Sequence, residues 1–313
     1  MVRYFKMGKE SSYAQLPASL NIGVRILSES LKLNPGIEYI RTVEGGRVIQ
    51  TKQISKISVE GDIDFYPVYD KGLGEFLLAC LGTVNTTQVT TGVYKHEFTP
   101  KMSIKVTPWP SYSFEIGLDD VVSKQILGAV VESLAFDVEA GDFLGVTASI
   151  YAAKEQKATL GSPAAYSSLN YIHAGDVVTQ TIGGNNVKFE SFSLEIKNNF
   201  PEGYKFGSKY PQEIDIGPLE IIGEMSIRFL SDAHLDDFLA SNEKAIVLKF
   251  QGPEITTGYN YYLEFNLPRV VYDAGDANIN EQERLVQTLE FTALEHSTEG
   301  IIKVTLQNNV ASY

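Results

Sequence analysis

Apolar and polar residues alternate with period two through most of this 313-residue chain. Ile57, Val59, Ile63 and Phe65 fall on one side of an extended segment, and Ser58, Glu60, Asp62 and Asp64 fall on the other. Successive side chains of a strand point to opposite faces, so this spacing predicts a sheet with one face buried and one face wet, as in antiparallel architectures. The same alternation predicts strands over 24–33, 112–116, 134–138, 146–150, 187–196, 219–229, 262–265, 289–293 and 302–306. The fold class is mainly β. Two segments break the pattern. Leu73, Phe76, Leu77, Cys80 and Leu81 have helical spacing, and Leu235, Phe238 and Leu239 repeat its first three positions, with Asp70 and Asp232 placed to cap them.

One helix in each half of a β chain suggests duplication, and the sequence carries it. Val59-Glu60-Gly61-Asp62-Ile63 matches Ile221-Ile222-Gly223-Glu224-Met225 at an offset of 162, which also carries the first helical stripe onto the second. Ser30-Leu31-x-Leu33 matches Ser193-Leu194-x-Ile196 at 163. Downstream, the segment beginning at Tyr112 matches that beginning at Tyr261 at 149, and Val131-x-x-Leu134-x-Phe136 matches Val286-x-x-Leu289-x-Phe291 at 155. The falling offset places about 13 additional residues within 82–111 of the first copy, read as a loop or protruding hairpin. The expected division is a first domain over 1–156, a connecting segment over 157–185 with a tight turn at Gly183-Gly184, and a second domain over 186–313.

Composition excludes several roles. With 39 acidic and 26 basic side chains the formal charge is −13, which leaves no basic surplus to hold a phosphate backbone. The longest apolar runs, 76–82 and 126–131, are far shorter than the roughly 20 residues that cross a bilayer as a helix. Residues 1–11 lack the apolar stretch of a secretory signal, and the single cysteine, Cys80, reads as a buried reduced core residue.

No catalytic signature is present: neither a phosphate loop, a complete Gly-x-Gly-x-x-Gly, a Gly-x-Ser-x-Gly nor a His-Glu-x-x-His occurs. Gly72-Leu73-Gly74 reads as a helix entry. His96, His173, His234 and His296 lack metal-ligand spacing and are expected at the surface or in loops. Asp273, Asp276, Asn278 and Asn280 resemble half of a calcium loop, but Glu281 and Gln287 stand where that loop needs glycine and glutamate. An ordinary polar turn is expected there. No catalytic, cofactor or metal residues are therefore assigned. The carboxylates Glu60, Asp62 and Asp64, with Glu115 and Glu264 at matched positions, fit a shared architectural face better than an active site.

The order of motifs resembles a specific family. Phe189-x-Ser191-Phe192-Ser193-Leu194-x-Ile196-x-Asn198-Asn199-Phe200 precedes a Gly-Glu-Met-Ser-Ile-Arg-Phe strand at 223–229, and Ile302-x-Val304-x-Leu306-Gln307-Asn308-Asn309 closes the chain. This arrangement resembles the tail tube (major tail) proteins of tailed viruses. The resemblance implies two tandem tail-tube-like β-sandwich domains, each with one flanking α-helix. It implies self-assembly into trimeric, pseudo-hexameric rings that stack into a hollow tube, contacts with other tail proteins at the tube ends, and transient passage of viral DNA. Synthesis in the host cytoplasm, a place in the virion tail, no membrane insertion and no cofactor follow from the same likeness.

Within that frame Glu60, Asp62, Asp64, Glu115, Glu224 and Glu264 are candidates for the lumen, with Val59, Ile63, Phe65, Ile221, Met225 and Ile227 toward the core. Parity alone leaves the outer surface of the tube equally open to these carboxylates. Segment 82–111 and the connecting segment are expected to touch neighbouring rings. Two other classes stay open: a duplicated carbohydrate-binding or adhesive module using Trp109, Tyr112 and Tyr259-Asn260-Tyr261-Tyr262, and a two-domain hydrolase using carboxylates.

Overall fold

The computed structural model describes residues 3–45, 47–105, 107–166, 170–275 and 285–313. The first half runs β1 (Tyr4–Lys9), β2 (Ile22–Gly23), β3 (Ser28–Glu29), β4 (Lys32–Ile40), β5 (Thr51–Phe65), α1 (Lys71–Leu81), β6 (Gly82–Thr90), β7 (Val93–Pro100), β8 (Tyr112–Leu118), β9 (Val122–Glu139), β10 (Gly145–Ala152) and β11 (Lys154–Ala158). The second runs β12 (Val177–Ile182), β13 (Asn185–Asn186), β14 (Phe189–Lys197), β15 (Glu220–Arg228), α2 (Ala233–Leu239), β16 (Lys244–Thr256), β17 (Tyr259–Ala274), β18 (Val286–Ala293) and β19 (Lys303–Asn308).

Eight strands form one continuous antiparallel sheet in the order β4, β5, β10, β9, β14, β15, β18, β17. The second layer consists of β2, β1, β8, β9 and β11 over the first half, and β6, β7, β19, β17, β16 and β12 over the second. β9 and β17 are long enough to serve both layers. β9 changes layer at Gly128, whose φ of 70° favours glycine and where an added Cβ would press on the Cβ of Ala153. The core lies between the layers, where Phe136 of the eight-stranded sheet meets Phe265 of the other layer with ring centroids 4.8 Å apart. Val59, Ile63, Phe65, Ile221, Met225 and Ile227 all face this core and are buried. Each such side chain contributes about 1.5–3 kcal/mol by leaving water.

The two halves repeat one pairing scheme. β5 pairs with β4 and β10, and β15 pairs with β14 and β18. Gly61 lies opposite Ile150, and Gly223, 162 positions on, lies opposite Phe291. The matches at 162 and 163 thus hold equivalent ladder positions. Those at 149 and 155 do not: by pairing, β8, β9 and β10 correspond to β16, β17 and β18, one strand earlier than the sequence matches imply. Neighbouring strands with the same alternation resemble one another, so a one-strand slip costs a sequence match little. With β8 aligned to β16, the whole of 82–111 is additional in the first half, rather than about 13 residues. It is a hairpin, β6–β7, but it does not protrude freely: β7 pairs with β19 from Val304↔Phe98 to Asn308↔Tyr94.

Other expectations are revised. Segment 24–33 contains only the two-residue β3 and the first two residues of β4, and 157–185 contains the end of β11 and all of β12, which pairs with β16. The turn at Gly183-Gly184 is present, with φ of 56° and 80° as a type I′ hairpin demands. Asp70 caps α1 by accepting from the Leu73 N–H at 3.1 Å, whereas the Asp232 side chain makes no cap bond to α2. Every residue of α1 from Gly72 to Leu81 is buried, while none of α2 is. His96 is not a surface residue: it is buried between Thr86 and Asn308. Burial pushes the Cys80 thiol up to about 12. Asp276, Asn278, Asn280 and Glu281 lie outside the described residues, and Asp273 accepts from the Thr292 hydroxyl.

Tyr313 locks the halves together. Its ring packs against Gly74 in α1 and edge-on to His96 at 4.6 Å, and its hydroxyl accepts from Asn308 Nδ2 at 2.7 Å. A Cβ at Gly74 would overlap that ring. Gly74→Ala is therefore expected to destabilise the chain by about 1–3 kcal/mol in chemical denaturation, despite alanine's better helix propensity.

Candidate functional site

The eight-stranded sheet turns its second face away from the core, and that face is polar and mostly acidic. Starting from β5, Glu60, Asp62 and Asp64 lie opposite Tyr151, Ser149 and Thr147 of β10. β9 adds Asp137 and Glu139, β14 adds Glu195, β15 adds Glu220 and Glu224, β18 adds Glu290, and Asp273 lies at the end of β17. Lys32, Lys52, Lys56, Lys197 and Arg228 are cations on these same strand faces, Lys52 and Lys56 lying toward the far end of β5. Period two put these side chains here: each is one residue removed from a buried apolar neighbour, so the burial of Ile63, Phe136, Leu194 and Met225 dictates their exposure.

Short polar side chains hold the carboxylates in order. Ser149 Oγ donates to Asp62 Oδ1 at 2.7 Å, Thr147 Oγ1 donates to Asp64 Oδ1 at 2.7 Å, and Ser58 Oγ donates to Glu60 Oε1 at 2.7 Å. Lys197 pairs with Glu195 at 2.9 Å. Where the halves meet, the face forms an open concavity of about 470 Å³ lined by Asp137, Glu195, Glu224, Asp273 and Glu290. The join itself is a backbone ladder, β9 against β14, from Ser191↔Glu139 to Lys197↔Ser133. A row of carboxylates on hydrogen-bonded strands offers an extended negative surface.

Of the six candidate lumen carboxylates, the structure brings together Glu60, Asp62, Asp64 and Glu224. It separates Glu115 and Glu264 from them. Glu264 is on the part of β17 that belongs to the other layer, next to Phe265, which faces the core; it pairs with Lys249 at 3.6 Å on the far side of the sandwich. Glu115 is buried on β8, where it accepts from Tyr4 Oη at 2.6 Å and Gln125 Nε2 at 2.9 Å and pairs with Lys6 at 3.1 Å. The sequence match that equated Glu115 with Glu264 was the slipped one. Asp137, Glu139, Glu195, Glu220, Asp273 and Glu290 were missed as members of this face, although each adjoins a buried neighbour, Phe136, Val138, Leu194, Ile221, Tyr272 or Leu289. Parity carried their signal, but the order of strands that unites them required the pairing.

The aromatic residues named for a glycan surface differ in exposure. Tyr112 and Trp109 are buried, the latter donating from Nε1 to Ala79 O at 2.9 Å, and Tyr259 to Tyr262 are half-buried.

The chain is a mainly β sandwich whose larger sheet is joined edge to edge across the two halves and carries an acidic outer face. A family model described as phage tail tube protein matches residues 3–293. The chain belongs to the phage tail tube protein family, a family of structural proteins of the virion tail. A search of curated proteins found no match. Among the described residues no helix is long and apolar enough to cross a membrane.

The buried Glu115 predicts a pH effect. Burial pushes its pKa up, but the bonds from Tyr4, Gln125 and Lys6 together outweigh that and leave it below the ordinary glutamate value. A carboxylate with a depressed folded-state pKa stabilises the fold above its unfolded pKa, and that stability is lost as pH falls through the folded one. Glu115→Gln should thus cost about 1–3 kcal/mol at pH 7. The deficit should shrink on acidification below about pH 4, as unfolding curves across pH would show.

Proposed function

We propose that this chain is a non-enzymatic tube subunit, three copies of which close into a ring, and that rings stack into a conduit for viral DNA. The reading treats 1–156 and 186–313 as tandem tail-tube-like domains, with β12 in the connecting segment contributing to the sheet of the second. The observation that carries it is the eight-stranded sheet, four strands from each half joined edge to edge by β9 and β14. A sheet that already continues across the boundary between halves needs only the same kind of join between copies to close, and closure removes the free edges that otherwise invite aggregation.

Size supports the reading. Three copies bring 24 strands; at about 4.8 Å between strands and a tilt near 40°, the barrel would measure about 45–50 Å between opposite backbones, wider than a DNA duplex. On this reading the acidic face lines the bore. Carboxylates there repel phosphates within a Debye length, about 8 Å at physiological salt, which favours passage over retention. Contacts with other tail proteins would be made at the tube ends. The β6–β7 hairpin, bound to β19, is less free for ring-to-ring contact than the arm formed by β4 and β5, whose Ile37, Tyr39, Val43 and Val48 are exposed.

The mass of the smallest closed assembly tests this. Native mass spectrometry of assembled protein is expected to give three times the 34.6 kDa chain mass. A smallest ring of six chains would contradict the trimer.

A further inference from the structure

The two halves carry the same connection in two different shapes. Asn34↔Ser58 repeats as Lys197↔Glu220, so residues 35–57, which lead from β4 into β5, hold the place that 198–219 hold between β14 and β15. In the first half this connection is the arm, where the ladder runs on past Pro35↔Ile57 to Ile40↔Thr51. In the second half it contains no strand and folds back on itself, with the Gln212 N–H donating to Gly203 O at 2.8 Å.

The residues account for the difference. Pro201, Pro211 and Pro218 of the second connection have no N–H to give to a ladder. Its backbone also crosses itself closely: a Cβ at Gly203 would overlap the carbonyl oxygen of Glu213, and one at Gly217 that of Asn199. Counted from the matched pairs, Ile40 stands in the arm where the second half has Gly203, and Ser55 where it has Gly217. The arm thus carries side chains at both positions where the folded-back shape has no room for one.

Folded back, 198–219 lies on the root of the arm. β10 ends its ladder with β5 at Val59↔Ala152, which leaves Ile57 beyond it. The Ile57 N–H donates to Lys209 O at 2.8 Å, and the Ile57 carbonyl accepts from Tyr204 Oη at 3.2 Å. Beside it Lys56 Nζ pairs with Glu202 at 2.5 Å and lies 5.5 Å from the centre of the Tyr204 ring. Both partners of that ion pair are half-exposed, so the bonds to the Ile57 backbone carry more of the contact. Residues 51–56, beyond the root, are exposed, and the pairings of this stretch run to β4 alone among the described strands. A two-stranded ribbon is marginally stable by itself, and its direction is set where it leaves the sheet.

We propose that 198–219 is a clamp that aims the arm, with Tyr204 and Glu202 as positioning residues. Duplication has divided one connection into two tasks, projection in the first half and bracing in the second. The consequence rests on the ring reading above: a ring of three chains presents three arms to its neighbour, alternating with three clamps, rather than six like contacts.

The spread of arm directions in the dilute, unassembled full chain tests this. Spin labels on Val43→Cys at the arm tip and Val178→Cys on β12, both exposed positions, report the arm against the second half by double electron–electron resonance. Cys80, fully buried, takes no label. The parent pair is expected to give one narrow distance distribution. Glu202→Gln with Tyr204→Phe, and separately Gly203→Ile, should widen it at least twofold and reduce tube formation at least tenfold, with the circular dichroism spectrum unchanged. If Gly203→Ile fails to fold, the double variant decides. Equal widths in parent and variant would overturn the clamp. Widened distances with unaltered assembly would overturn its part in aiming the arm while leaving the ring reading intact. A parent chain that forms no rings at any concentration would overturn the ring reading, and the widths would still judge the clamp.

Discussion

The backbone ladder between β9 and β14 is the interaction on which the rest of the structure depends. It joins four strands from each half into one sheet, and in doing so it fixes which side chains share a face. Because neighbouring strands in a sheet keep their side-chain parity, the burial of Phe136 and Leu194 on one side forces Asp137 and Glu195 to the other. The acidic surface is a consequence of where the core lies, continued over the join without interruption.

The β6–β7 hairpin explains why the helices differ. α1 sits where the halves meet, covered by the β6–β7 hairpin and by Tyr313 as well as by the sheet it packs on, so its whole circumference is buried. α2 has the matching apolar stripe but no following hairpin and no second half beyond it. An element built for burial and left open at one end of a repeating unit is what an assembly unit looks like before it assembles.

Much of this was legible in the sequence. Alternation identified the strands that line the core, the helical stripe and Asp70 located α1 with its cap, and the repeat at 162–163 aligned residues that hold equivalent ladder positions. What the sequence did not show depended on contacts between distant strands. The slip that aligned β8 with β17 arose because adjacent strands share one periodicity, and it carried Glu115 and Glu264 onto a face where neither belongs. The same blindness hid the role of 82–111: Thr-rich composition signals an extended hairpin, but only its ladder with β19 shows that it ties the first half to the second. Glu115 looked like its alternating neighbours, yet Tyr4, Lys6 and Gln125, the first two more than a hundred residues away, make it a structural carboxylate.

The central claim is that the acidic face of the joined sheet looks into the bore of a closed tube. Electron cryomicroscopy of the assembled protein tests it most directly, through a helical reconstruction that resolves strands. The account predicts an inner barrel built of β4, β5, β10, β9, β14, β15, β18 and β17 with Asp62, Asp137 and Glu224 directed at the axis. A reconstruction with those residues on the outer wall, or with the other layer lining the bore, would contradict it.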